Sequence, residues 1–490
     1  MFAAQGAGGV AWSRHVWDRF SLTADFGSYA QAWHDIGTGH LDPFDTVFAY
    51  HYPHFGYPFW QSHLELLMWP LALLRFVHDS AFDLLVAQDI ALAGAGLAAL
   101  RFGLELVASR WPEQQRGAQL AGIGLLALLV LDPWTYWSMS YDFHLQPFAV
   151  LLTVLAARDL WLGRRRAWLW VAGALACGDV AGSYVAAVGV AAVCSGRPLR
   201  RPGAALVLAG LGWIIVASAI GSGKGSLLAA RYGYLAHVSG RAGLAATVGV
   251  LAGLLTHLGD VWRVLHERIG AMGAFVAGSG TLGLVAPLGA AMALAVLVPN
   301  ALDRSGVFLT APAAFQNLVV VLAVAVGATV VACRLARSGR IGPALAAAVL
   351  AAAIAQSAVL CHEWVPRIGT TLVRVDAATA RQLSTVLADV PPTAEVVASQ
   401  GVVGRFGERR ALYPFLDTFA DGQKVPVVAS TVVFVFVAAQ GIEQATAPQT
   451  ARAVATVRAE PGVTVLLVSA QVTALEWHPP AGTTSVAFGR

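Results

Sequence analysis

Leu318-Val319-Val320-Val321-Leu322-Ala323-Val324-Ala325-Val326-Gly327-Ala328-Thr329-Val330-Val331-Ala332-Cys333 is the heart of an apolar run, residues 315–333, that carries no charged side chain. A helix of about 20 such residues spans the hydrocarbon layer of a bilayer. Further apolar runs lie on either side of it, near residues 81–107, 117–139, 145–162, 167–178, 181–194, 203–220, 242–257, 274–298 and 343–361. The pattern predicts an α-helical polytopic membrane protein of about ten spans. The runs 167–178 and 181–194 are short. They read either as a helical pair meeting inside the membrane at Asp179 or as one broken span.

Composition points the same way. Only 12% of the 490 residues are charged and 57% are hydrophobic, against about 25% charged in an ordinary soluble chain. The net charge of +4 is spread over short loops between apolar runs. No basic face with interleaved aromatics marks a nucleic-acid surface, so membrane lipid is the expected partner and nucleic acid is not. Cys177, Cys194, Cys333 and Cys361 lie in or at the ends of apolar runs. That placement argues against a disulfide framework, and no CxxC metal spacing occurs.

Loop charge gives an orientation. With ten spans, the loops starting at residues 108, 163, 195, 258 and 334 share one side and hold 13 basic residues, Arg263 and Arg268 among them. The opposite short loops hold 4: Lys224, Arg231, Arg241 and Arg304. The basic side is cytoplasmic by the positive-inside rule, so residues 1–80 and everything after Cys361 are expected to face outward.

Residues 1–80 then form an outer loop, 81–361 the transmembrane domain and 362–490 an extracytoplasmic domain. The stretch Leu64 to Val77, broken by Pro70, reads as an interfacial helix anchored by Trp60 and Trp69. No secretory signal precedes this outward segment, so a spanning helix upstream of Met1 is expected. Residues 376–490 alternate helix-like stretches (Ala377 to Leu387, Pro448 to Ala459) with strand-like ones (Glu395 to Ala398, Val432 to Val437, Val463 to Val468), which predicts a small α/β domain.

Ionisable groups in or beside apolar runs are costly and point to function. Asp25, the Asp142/His144 pair and Asp179 all fall on the outer side, joined by His63 and Glu65 at the start of the interfacial helix. On a helix His63 and Glu65 would not share a face. Each has a plainer reading: Asp25 as a helix N-cap or solvated loop residue, Asp142 and His144 as interfacial loop residues, Asp179 as a structural hydrogen-bonding group. His51/His54 and His362/Glu363 have metal-like spacing without a third ligand. Gly221-Ser222-Gly223-Lys224-Gly225-Ser226 lacks the strand that precedes a phosphate loop and reads as a flexible loop.

Several blocks resemble the DUF2079 family of polytopic membrane proteins. They are Ala24-Asp25-Phe26-Gly27-Ser28-Tyr29-Ala30-Gln31-Ala32-Trp33, Phe59-Trp60-Gln61-Ser62-His63-Leu64-Glu65, Phe143-His144 through Ala157-Arg158-Asp159-Leu160-Trp161 to Cys177-Gly178-Asp179, and Pro391-Pro392-Thr393-Ala394-Glu395. The chain departs from that family in having Cys177-Gly178 before Asp179, and Leu145-Gln146 after His144, where many members carry further charged residues. The layout is similar to that of the GT-C glycosyltransferase superfamily, whose helical bundle carries a small extracytoplasmic domain.

That resemblance implies an enzyme class: transfer of a sugar from a polyprenyl-phosphate donor to a cell-envelope acceptor on the outer membrane face. It implies Asp25 as general base, with His63, His144 and Asp179 orienting the base or acceptor. Arg231 and Arg304 would meet the lipid phosphate, Lys224 more weakly, and Trp33, Glu65 and Asp142 would line the substrate site. It leaves room for a divalent cation without requiring one. The competing readings are a non-enzymatic membrane transporter and an envelope scaffold.

Overall fold

The computed structural model describes residues 1–47, 57–62, 64–111, 113, 115–220, 225–236, 243–415, 424–438 and 445–488. His51, His54, His63, Lys224 and Arg241 lie outside the described residues. The chain starts with α1 (Phe2–Asp18) and turns at Phe20 into α2 (Ala24–Gly37). Phe20 has φ 55°, an uncommon backbone for a bulky side chain, held where its ring packs against Phe406. The stretch expected as one interfacial helix, Leu64 to Val77, is a single helical turn, α3 (Met68–Ala72), followed by a 3-10 turn, Leu73–Phe76. Pro70 and the short run explain the shortening, and Glu65 sits ahead of the helix rather than on it.

The bundle is built from α4 (Phe82–Arg110), α5 (Gln115–Leu131), α6 (Pro133–Ser140), α7 (Gln146–Trp161), α8 (Ala167–Leu175), α9 (Ala181–Ser195) and α10 (Arg197–Ile220). It continues with α11 (Gly225–Ala236), α12 (Gly243–Thr256), α13 (Leu258–Glu267), α14 (Ile269–Ala277), α15 (Pro287–Leu302), α16 (Leu318–Leu335) and α17 (Gly342–Trp364). The Leu318–Cys333 stretch is the axis: 89% of α16's apolar window is buried, against 11% for the window that includes α17. Ser13 on α1 donates to Asp89 on α4 (2.8 Å) and ties those two helices together. Gly182 and Gly189 of α9 face Gly210 and Gly203 of α10, where any Cβ would overlap the opposing backbone. Small residues let helix backbones touch in lipid, where dispersion and close approach replace the hydrophobic effect.

Among the described residues, four helices are long and apolar enough to cross a membrane, or up to six if each bent pair counts as one span. The expected ten are not reached, for geometric reasons. Helices α8 and α9 have 9 and 15 residues; at about 1.5 Å per residue neither covers a core about 30 Å thick. The run near 242–257 is α12, which meets α13 at 85°. Arg268, just past α13, then donates to the carbonyls of Ala301 (2.7 Å), Asp303 and Arg304 (3.2 Å). Arg268 and Arg304 therefore share a side, contrary to the alternation assumed from the sequence. The tally of 13 basic residues against 4 thus does not carry over unchanged to the folded chain.

Beyond the bundle, a five-stranded sheet is built from β1 (Glu395–Ser399), β2 (Leu412–Phe415), β3 (Val432–Val437), β4 (Val463–Val468) and β5 (Val472–Trp477), in the order β2-β1-β3-β5-β4. Strand β1 is parallel to β2 and β3; β5 is antiparallel to β3 and β4. Helices α18 (Ala377–Asp389) and α19 (Ala447–Ala459) cover it. Alternating residues separate two faces. Val396, Val433 and Val435 pack with Leu383 and with Phe20, Ala24 and Val47 of the N-terminal segment, while Val397, Phe434 and Trp477 pack with Val457. Hydrogen bonds seal that junction: Gly404 N donates to Leu22 O (3.0 Å), Leu412 N to Thr46 Oγ1 (3.0 Å) and Gln31 Nε2 to Arg410 O (2.6 Å).

Candidate functional site

The site grows from the start of α2. Thr23 is its N-cap and its hydroxyl accepts from Asp25 N (3.4 Å). Thr23 also donates its N–H (3.0 Å) and its hydroxyl to one oxygen of Asp142, which lies between α6 and α7. The cap thus fixes the first turn of α2 against a loop 119 positions away. Two residues on, His144 Nε2 lies 3.6 Å from Asp25 Oδ2. The Asp25 side chain is 38% exposed and that of His144 8%, so the carboxylate is the member of the pair open to an incoming group.

His144 is tightly held. Its ring stacks on Phe315 (centroids 3.8 Å, 23°), with Tyr141 stacked beside it. Its Nδ1 is 2.9 Å from Asp142 O. A carbonyl only accepts, so Nδ1 carries a proton and Nε2 is the nitrogen left for Asp25.

One helical turn beyond Asp25, on the same face of α2, buried Tyr29 donates to Glu65 Oε1 (3.1 Å) and meets Phe143 edge-on (5.1 Å). Burial pushes the Tyr29 hydroxyl well above its ordinary pKa, and the charges of Glu65, Asp25 and Asp179 push it further. Those three carboxylates therefore surround one phenol. Asp179 belongs to the break between α8 and α9, where Gly178 has φ 134° and its Cβ position would lie 3.2 Å from Glu65 Cγ. Leu67 N donates to Ala176 O (2.9 Å) and Trp213 Nε1 to Gly178 O (3.0 Å), which dock that break onto the Glu65 segment. Burial, then the Asp25 charge, raises the Asp142 carboxyl to about 6, with the Thr23 bonds pulling the other way. A narrow cleft lined by Thr23, Ser140, Tyr141, Asp142 and Thr371, and by Gly401 of the sheet domain, opens beside these groups.

The remaining residues are further out. Trp33, two turns past Asp25, is fully buried under the Arg75 guanidinium (5.3 Å) and holds the far end of α2. Arg231 lies over the Phe308 ring (4.6 Å) and 3.6 Å from Asp303, while Arg304 N donates to Arg231 O (2.9 Å). Arg304 belongs to the 303–317 loop region that also delivers Phe315 to His144, and Arg231 of α11 packs against it. No distance brings either arginine to Asp25. Among the described residues no group of three or more His, Cys, Asp or Glu is arranged to hold a metal ion. Sequence reading passed over Thr23, Tyr29, Gln88 and Phe315. The first two had a signal, a Thr-x-Asp cap and an i, i+4 partner for Asp25; Phe315 had none.

These features define a class: a polytopic helical membrane protein whose polar cluster lies where the bundle meets a C-terminal sheet domain. No family model matches the chain, and no curated protein matches it. Among solved structures, the crystal structure of ArnT from Cupriavidus metallidurans in the apo state is similar over 97% of this chain and 98% of that one, at 14% identity and a TM-score of 0.42. No functional reading is drawn from that likeness.

Proposed function

We propose that this chain is a GT-C-like glycosyltransferase acting at the outer membrane face, with a polyprenyl-phosphate sugar as donor and a hydroxyl of a cell-envelope molecule as acceptor. The observation that carries the reading is the Asp25–His144 pair, 3.6 Å apart, with Asp25 the more exposed partner and His144 buried and locked behind it. In the reaction the acceptor oxygen attacks the anomeric carbon as Asp25 takes its proton. The bond from that carbon to the phosphate oxygen breaks, and the electron pair leaves with the lipid phosphate. Once Asp25 carries that proton it donates to His144 Nε2, which faces it and shares the proton afterwards. Glu65, Asp142 and Asp179 border the acceptor, and Tyr29 fixes Glu65. Arg231 and Arg304 are assigned to the departing phosphate, as guanidinium groups bind two of its oxygens at once; the donor would have to bridge from their loop to Asp25.

Outward orientation is part of the proposal and rests on the loop-charge asymmetry of the sequence, 13 basic residues to 4 when each apolar run is taken as a span. A transporter would need polar groups along the bundle axis, and α16 fills that axis with Val, Ala and Leu. The test is a transfer assay with purified full-length protein and a panel of polyprenyl-phosphate sugars, read as release of the polyprenyl phosphate. Saturable binding and acceptor-dependent release support the reading. A panel with no binding at all overturns it.

A further inference from the structure

Gln88 is a polar neighbour of the Asp142–His144 loop that comes from the bundle itself. It lies two turns into α4 and is 1% exposed. Its amide makes two bonds to that loop: Oε1 accepts from His144 N (2.7 Å) and Nε2 donates to Asp142 O (3.4 Å). The same Asp142 carbonyl accepts from His144 Nδ1 at 2.9 Å. One side chain therefore grips both ends of a three-residue turn whose internal bond decides which imidazole nitrogen carries the proton.

We infer that Gln88 is a positioning residue for His144: by clamping Asp142 O and His144 N, it commits the imidazole to the Nδ1–H form and leaves Nε2 facing Asp25. Free imidazole has no such commitment, and which nitrogen is protonated follows the bond made by the other. Buried amide pairs of this kind are costly to break, because Asp142 and His144 are 3% and 7% exposed and water does not readily replace the lost partners. A glutamine is suited to the task since one amide offers a donor and an acceptor together. Methionine fills the same space with neither. Glutamate supplies both only while protonated.

The inference depends on the glycosyl-transfer reading solely for why Nε2 matters; its test needs no turnover. Full-length protein labelled with ¹⁵N-histidine is purified in detergent, and His144 is assigned by the signal lost in His144→Gln. Wild type is expected in the Nδ1–H form or, when doubly protonated, to return to it on deprotonation. Gln88→Met, with helicity and size-exclusion profile kept, should shift the Nδ1–H to Nε2–H ratio roughly fivefold toward Nε2–H, the effect of one net hydrogen bond. A Gln88→Met protein that folds and keeps the wild-type ratio overturns the inference. Should Gln88→Met not fold, Gln88→Glu decides at a pH where the imidazole is neutral: its ionised carboxylate accepts from His144 N but cannot donate to Asp142 O, and the ratio should move toward Nε2–H. A wild-type ratio there overturns it equally.

Discussion

Thr23 and Asp142 are joined by two hydrogen bonds to a single carboxylate oxygen, one from the Thr23 backbone N–H at 3.0 Å and one from its hydroxyl. This contact makes a helix cap and a loop distant in sequence into one unit. Asp25 and His144 meet because their chain neighbours are locked together.

Asp25→Asn keeps the shape of the site and removes the proton acceptor. Turnover in the transfer assay should fall by about 10²–10⁴-fold, the usual contribution of a general base. Thermal stability in detergent should change little. A normal rate from Asp25→Asn would reject Asp25 as base, whatever the substrate proves to be.

Asp142 gives a pH signature. Burial and Asp25 raise its carboxyl to about 6, above the value near 4 of an unfolded chain. The folded state then holds the proton more tightly than the unfolded one. That contribution to stability is full below about pH 4 and is lost as pH rises to about 6. Asp142→Asn can still accept from Thr23 and does not titrate. Its gain in unfolding free energy over wild type should grow between pH 4 and 6, to on the order of 2–4 kcal/mol, and stay level above that. Melting curves of both proteins across that range provide the check; a constant offset would contradict the linkage.

Arg405 holds the sheet domain on the bundle. Its guanidinium lies 3.7 Å from the Trp17 ring centroid and 4.9 Å from that of Phe20, and its Nε donates to Trp17 O (3.1 Å). Burial lowers its pKa to about 10, still charged at neutral pH. Arg405→Lys retains the charge but not the flat donor face. A loss on the order of 2–4 kcal/mol is expected from stacking and hydrogen bonding together, with faster protease cleavage near the Phe20 turn. Wild-type protease resistance would show that the apolar seam alone holds the domain.

Gly178→Ala should destabilise by about 1–3 kcal/mol, because φ 134° suits glycine alone and the new Cβ crowds Glu65. Gly212→Ala is the control. It lies in α10 with nothing within 4 Å of its Cβ position, and alanine in a helix should be neutral or stabilising by about 0.5–1 kcal/mol. Equal melting shifts for the two would mean that the break before Asp179 is not under backbone constraint.

Orientation has a direct reading. A cytoplasm-dependent reporter fused after Arg490 should be silent and an export-dependent one active, given the basic-loop asymmetry. The reverse pattern would place Asp25 on the cytoplasmic side and remove the outer-face chemistry.

The sequence by itself determined that helices of this chain lie in lipid, since apolar runs such as 203–220 and 343–361 leave too little polar surface for water. It also marked the strands Val432–Val437 and Val463–Val468 at their observed ends, because β-branched runs between turn residues leave little choice. It could single out Asp25, His144, Glu65 and Asp179 as polar groups in costly surroundings. Only the tertiary structure decided which of them meet. The 3.6 Å between Asp25 and His144 depends on Thr23 reaching Asp142 and on Phe315 arriving from the far end of the bundle. Those contacts join residues far apart in sequence, and local hydrophobicity carries no record of them. The same holds for the span count: run length measured apolarity, but the 85° bend after α12 and the Arg268 bonds to 301–304 turned the chain back. Periodicity reports the solvent around a segment, whereas direction and pairing are set by packing.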